Sequence, residues 1–97
     1  MDRDEIIATL RAMEPDLKAQ GIEHLALFGS VARGDAGPDS DVDLLATVGR
    51  EAVSLLDIIR IGRELGETLG RKVDLYSGEV TNLFRKAMIE REMAAIF

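Results

Sequence analysis

Asp41-Val42-Asp43-Leu44-Leu45-Ala46-Thr47-Val48 is the stretch on which the fold turns. It reads as a β-strand. Side chains alternate between the two sides of a strand, so Val42 and Leu44 share one face and the carboxylates of Asp41 and Asp43 share the other. Two residues span about 6–7 Å along a strand. That spacing lets two carboxylates converge on a pair of metal ions about 3.5–4 Å apart. Carboxylate oxygens are hard ligands and suit Mg²⁺ or Mn²⁺.

Upstream, Gly34 to Ser40 is rich in Gly, Pro, Asp and Ser and reads as a loop. Before it, His24 to Phe28 reads as a short strand that ends abruptly at Gly29-Ser30, and Val31 to Asp35 reads as one helical turn. Glycine at a strand end lets backbone approach a bound group closely. A turn of helix starting near Ser30 presents free N–H groups to a phosphate, the Ser30 hydroxyl adds a donor, and Arg33 lies one turn on. Further upstream, residues 3 to 20 read as a helix with Ile6, Ile7, Leu10, Met13 and Leu17 on one stripe. Asp2 with Glu5 resembles a capping pair. Pro15 argues for a kink or an end within it.

Downstream, Ser54 to Leu69 reads as a long helix, capped by Ser54 and closed by Gly70. Leu55, Ile58, Ile59, Leu65 and Leu69 are expected to share its buried face, with Gly62 and Gly66 there for close packing. Leu56 and Ile61 flank that face. Arg71 to Tyr76 reads as a third strand that places Asp74 opposite in facing to Val73 and Leu75. Thr81 to about Arg91 reads as a last helix, with helix or a short extension to Phe97. The order α-β-α-β-α-β-α predicts a mixed α/β (α+β) fold, a small mixed sheet flanked by helices, in a single domain over residues 1–97.

Composition narrows the function. With 97 residues there is no room for a large accessory lobe, so what the chain cannot do alone falls to a partner. Cysteine is absent, which excludes disulfides, thiolate metal sites and thiol nucleophiles. The acidic start Met1-Asp2-Arg3-Asp4-Glu5 does not resemble a secretory signal, and no apolar run approaches a membrane span; a cytoplasmic location is expected. A net charge of −6 argues against direct nucleic-acid binding. It suits a site built from carboxylates.

Taken singly, Gly-Ser is an ordinary turn and Asp-x-Asp an ordinary solvated strand. Gly-Ser, ten residues, then Asp-x-Asp is another matter: a chance match in a chain this short is on the order of one in a thousand. Leu27-Phe28-Gly29-Ser30-Val31-Ala32-Arg33-Gly34 with Ser40-Asp41-Val42-Asp43-Leu44-Leu45 closely resembles the signature of the DNA-polymerase-β-like nucleotidyltransferases, and most of all their minimal prokaryotic members.

That resemblance implies roles. Asp41, Asp43 and Asp74 would be the catalytic and metal-holding carboxylates for two Mg²⁺ (or Mn²⁺) ions, with Asp74 also helping to deprotonate the acceptor hydroxyl. Gly29 and Ser30, with Arg33 nearby, would hold the phosphates of a nucleoside triphosphate, ATP being the implied donor. Minimal members are often encoded beside a HEPN-domain toxin, and some antitoxins of this kind transfer AMP to a tyrosine of that toxin. The resemblance therefore points to a hetero-oligomer with a HEPN-domain toxin, and a homodimer is also open. Two other functions fit the same residues: an antitoxin that neutralises by contact alone, and an enzyme nucleotidylating a small hydroxyl compound such as an antibiotic.

Overall fold

The computed structural model describes residues 2–34, 37, 40–49, 53–77 and 93–97. The expected helix over 81–91 lies outside them.

The first expected helix is two. α1 runs Arg3–Ala12 and α2 runs Glu14–Ala19, with Met13 between. Pro15 causes the break, because it has no N–H to donate and its ring clashes in a helix interior, whereas a first turn accommodates it. At the start of α1 the Asp2 side chain accepts from the Glu5 N–H at 2.9 Å, the expected cap.

Strands β1 (Ile22–Phe28), β2 (Val42–Val48), β3 (Val73–Ser77) and β4 (Ala94–Ala95) form one mixed sheet in the order β3-β2-β1-β4. β1 is antiparallel to β2 and β4, while β2 and β3 are parallel. Parallel neighbours need a crossover, supplied by α4 (Leu55–Leu69). The short α3 (Gly29–Arg33) joins β1 to the loop before β2. The end of the chain, read as helix or extension, pairs as β4 beside β1.

The core lies on one face of the sheet. Leu25, Leu27, Val42 and Leu44 pack there against Ile6, Leu10 and Leu17 from the N-terminal helices and against Ile58, Ile61, Leu65 and Leu69 from α4. Each buried side chain of this size contributes about 1.5–3 kcal/mol. Ser54 and Asp57 form the full capping box at the start of α4, with bonds of 3.1 and 3.0 Å. Gly62 and Gly66 do face the sheet: a Cβ on Gly66 would stand 3.0 Å from the Arg71 carbonyl oxygen.

Two expected core residues of α4 are not in it. Leu55 is 74% exposed and Ile59 59%, and Ile61 is buried in their place. Each helical residue advances about 100° round the axis, so Ile59 swings off the stripe that Ile58, Ile61, Leu65 and Leu69 define. Leu56 is 77% exposed. Among the described residues no helix is long and apolar enough to cross a membrane.

Candidate active site

Asp43 stands at the meeting of three strands. Register pairs Phe28 at the end of β1 with Asp43 on β2, and Asp43 with Asp74 on β3. Val42 and Leu44 are completely buried, so alternation sends Asp43 to the other face of the sheet. Asp74 follows the same logic between Val73 and Leu75, which pack against the core. Asp41 precedes β2 and lies two residues from Asp43.

Mutual repulsion is visible in Asp43. Its carboxyl pKa is raised, first by burial, then by the charges of Asp74 and Asp41; Arg33 opposes the shift. The Lys72 ammonium stands 3.6 Å from Asp41 and 4.0 Å from Asp74 and offsets their charge. No three acidic or histidine side chains among the described residues are gathered as a ready-made cage. The donor set nevertheless fits a hard divalent cation. It consists of carboxylate oxygens, and at least one is held where its own charge is disfavoured. A cation relieves that repulsion.

Gly29 is required here. Its φ is +76°, a conformation that side-chain-bearing residues rarely adopt. A Cβ on it would also overlap the Asp43 carboxylate. The peptide at Gly29 thus lies directly against that carboxylate, and α3 begins there with Ser30 in its first turn. Phe28, the N-cap, lends no side-chain oxygen, so the first N–H groups of α3 are not capped by it. Val31 is buried and anchors the turn, while Arg33 is exposed and reaches the site through its charge.

Two further residues at the site, Arg71 and Lys72, are not among those expected from the sequence. Arg71 Nη2 donates to the carbonyl oxygens of Ser40 at 2.6 Å and Gly37 at 3.0 Å, fixing the segment that delivers Asp41. These contacts join positions 31 and 34 residues apart, which local pattern does not reveal. Lys72 could have been found: two residues before Asp74, it shares that side of the extended chain.

Comparison with known proteins gives the lineage. Residues 5–95 match the family described as nucleotidyltransferase domain. The chain belongs to this family. A Methanocaldococcus jannaschii protein with the provisional name protein adenylyltransferase MJ0435 is 42% identical over 65 residues, covering 67% of this chain and 69% of the relative. Protein adenylyltransferase MntA of Thermococcus cleftensis is 40% identical over 73 residues, covering 74% and 73%. A solved structure provisionally described as a minimal nucleotidyltransferase superposes with a TM-score of 0.81 at 34% identity, covering 97% of this chain and 95% of that one.

The fold also matches, at a TM-score of 0.69 and 12% identity, a structure of a tri-AMPylated Shewanella oneidensis HEPN toxin in complex with MNT antitoxin, covering 98% of this chain and 71% of that one. This chain is thus a minimal nucleotidyltransferase, an enzyme similar to the protein adenylyltransferases.

Proposed function

We propose that this nucleotidyltransferase transfers AMP from ATP to a tyrosine hydroxyl of a HEPN-domain toxin and thereby acts as its antitoxin. One observation carries the reading: Asp43 and Asp74 stand in register on neighbouring parallel strands, with the Gly29 backbone against Asp43. The names of the adenylyltransferase relatives and the HEPN complex of the structural neighbour support the choice of nucleotide and partner.

Asp41, Asp43 and Asp74 would hold two Mg²⁺ or Mn²⁺ ions, which supply positive charge to the triphosphate and to the developing oxyanions. The backbone at Gly29-Ser30 receives the β- and γ-phosphates, and Arg33 adds positive charge beside them. Asp74 takes the proton of the acceptor hydroxyl. The hydroxyl oxygen then forms a bond to the α-phosphorus, the bond from that phosphorus to the bridging oxygen breaks, and pyrophosphate leaves. The net charge of −6 disfavours a nucleic-acid acceptor, in keeping with a protein acceptor.

The test is incubation of the purified chain with labelled ATP, Mg²⁺ and the product of the neighbouring gene. Label on a toxin tyrosine is expected. Absence of label with every metal and nucleotide tried overturns the proposal. A second reading, neutralisation by contact alone, is favoured by the exposed apolar cluster of Leu55, Leu56 and Ile59 at the start of α4. It gains if Asp43→Ala still neutralises the toxin fully.

A further inference from the structure

Among the described residues, the face of the sheet opposite the core carries an aromatic pair beside the carboxylates. Register sets two neighbouring rows on that face. Phe28, Asp43 and Asp74 form the first; Ala26, which is buried, Leu45 and Tyr76 form the second. The rings of Phe28 and Tyr76 meet across β2 with centroids 5.5 Å apart and planes tilted by 51°. They meet over the strand that carries Leu45, which is half-buried, and Tyr76 remains 41% exposed. An apolar shelf with an accessible aromatic ring thus lies one pleat, about 6–7 Å, from the carboxylate row.

We infer that this shelf is the seat of the donor's nucleobase. The inference rests on the nucleotidyltransferase reading of the same site. In that reading, pyrophosphate departs toward Gly29-Ser30 at the end of β1, and the acceptor arrives beside Asp74 on β3. In-line displacement therefore runs across the strands, from β3 to β1, over Asp43. The nucleoside, attached to the same phosphorus, must leave at an angle to that line. In one direction along the strands lie Asp41 and the segment held by Arg71, which are polar and charged. In the other lies the shelf. A planar base prefers an aromatic face, whose stacking is tolerant of base identity. A ribose bridges the one-pleat offset. Tyr76 is then a specificity-determining residue for a nucleoside triphosphate over a bare polyphosphate.

Calorimetric titration in Mg²⁺ tests this, using an ATP analogue with a non-cleavable α,β linkage and, separately, inorganic tripolyphosphate. The proteins are the wild type, Tyr76→Ala and Tyr76→Phe. Tyr76→Ala should weaken the analogue about ten-fold or more, from the usual worth of a base–aromatic stack. It should leave tripolyphosphate unchanged, which also reports that the variant is folded. Tyr76→Phe should bind both like the wild type. Undiminished analogue binding by Tyr76→Ala overturns the shelf, and so does equal weakening of both ligands. A shelf that instead receives the acceptor's ring would reveal itself as an unchanged analogue affinity with a raised KM for the protein acceptor. Wild type that binds neither ligand overturns the nucleotidyltransferase reading, and the shelf falls with it.

Discussion

Asp43→Asn should stabilise the metal-free protein while abolishing transfer. Asp43 and Asp74 are register partners on adjacent strands, so their carboxylates stand about 5 Å apart. Two like charges at that distance repel by about 0.8 kcal/mol in water-like surroundings and about 3 kcal/mol at an effective dielectric constant of 20. The site is partly open and Arg33 opposes the repulsion, so the lower end applies. Removing the charge should gain about 1 kcal/mol, a rise of about 4–8 °C in Tm for a chain of this size.

The pH dependence has a definite sign. Burial and the charges of Asp74 and Asp41 raise the folded-state pKa of Asp43, so the native state holds the proton to higher pH than the unfolded chain does. Stability is therefore lost as pH rises through that folded value and recovered as it falls. The advantage of the variant should be present at pH 7 and shrink on acidification, with Asp41, Asp74, Arg33 and Lys72 left in place. Mg²⁺ should reverse the ranking, because ligand bound to the native state adds about 2.7 kcal/mol at a hundred times its Kd, and the variant has lost a ligand. Urea denaturation of both proteins, in EDTA and in Mg²⁺, at pH 7 and pH 4.5, measures all of this. A metal-free variant less stable than wild type at pH 7 refutes the reasoning.

Gly29→Ala should cost about 2–4 kcal/mol in the same denaturation experiment, from the left-handed backbone and the overlap with Asp43, and should weaken Mg²⁺ binding because that carboxylate must turn aside; an unchanged midpoint would contradict the close approach described above. Arg71→Lys should lower Mg²⁺ affinity about 10–100-fold, since a lysine cannot reproduce the guanidinium donation to the Ser40 and Gly37 carbonyls that places Asp41. Calorimetry with Mg²⁺ alone checks it, and full affinity would show that Asp41 needs no such support.

What was legible in the sequence was what alternation and local chemistry encode. Val42 and Leu44 bracket Asp43, so the carboxylate's facing followed from the two-residue period alone. Ser54 and Gly70 marked α4 because caps are local hydrogen-bonding solutions. Pro15 announced the break between α1 and α2. Leu55 and Ile59 misled because an apolar residue near the buried stripe looks the same in a sequence whether or not it has a partner. β4 is only two residues long and exists through its pairing with Ala26 and Leu27, far away in sequence. Arg71 went unnoticed for the same reason. Its partners belong to a loop that only the parallel β2–β3 pairing brings beside it.

Lys72 shows how the chain tolerates neighbouring carboxylates at the candidate site. Neighbouring carboxylates that repel one another would oppose folding if nothing offset them. A buried arginine would offset them too well, because a desolvated ion pair is costly to break. Lys72 is instead held at 3.6–4.0 Å by two carboxylates while its side chain stays 71% exposed. Ion pairs of that kind are worth about 0–1 kcal/mol. In the proposed reading, entry of a divalent cation would therefore sacrifice little, because the flexible lysine stem would let the ammonium withdraw into water without moving β3.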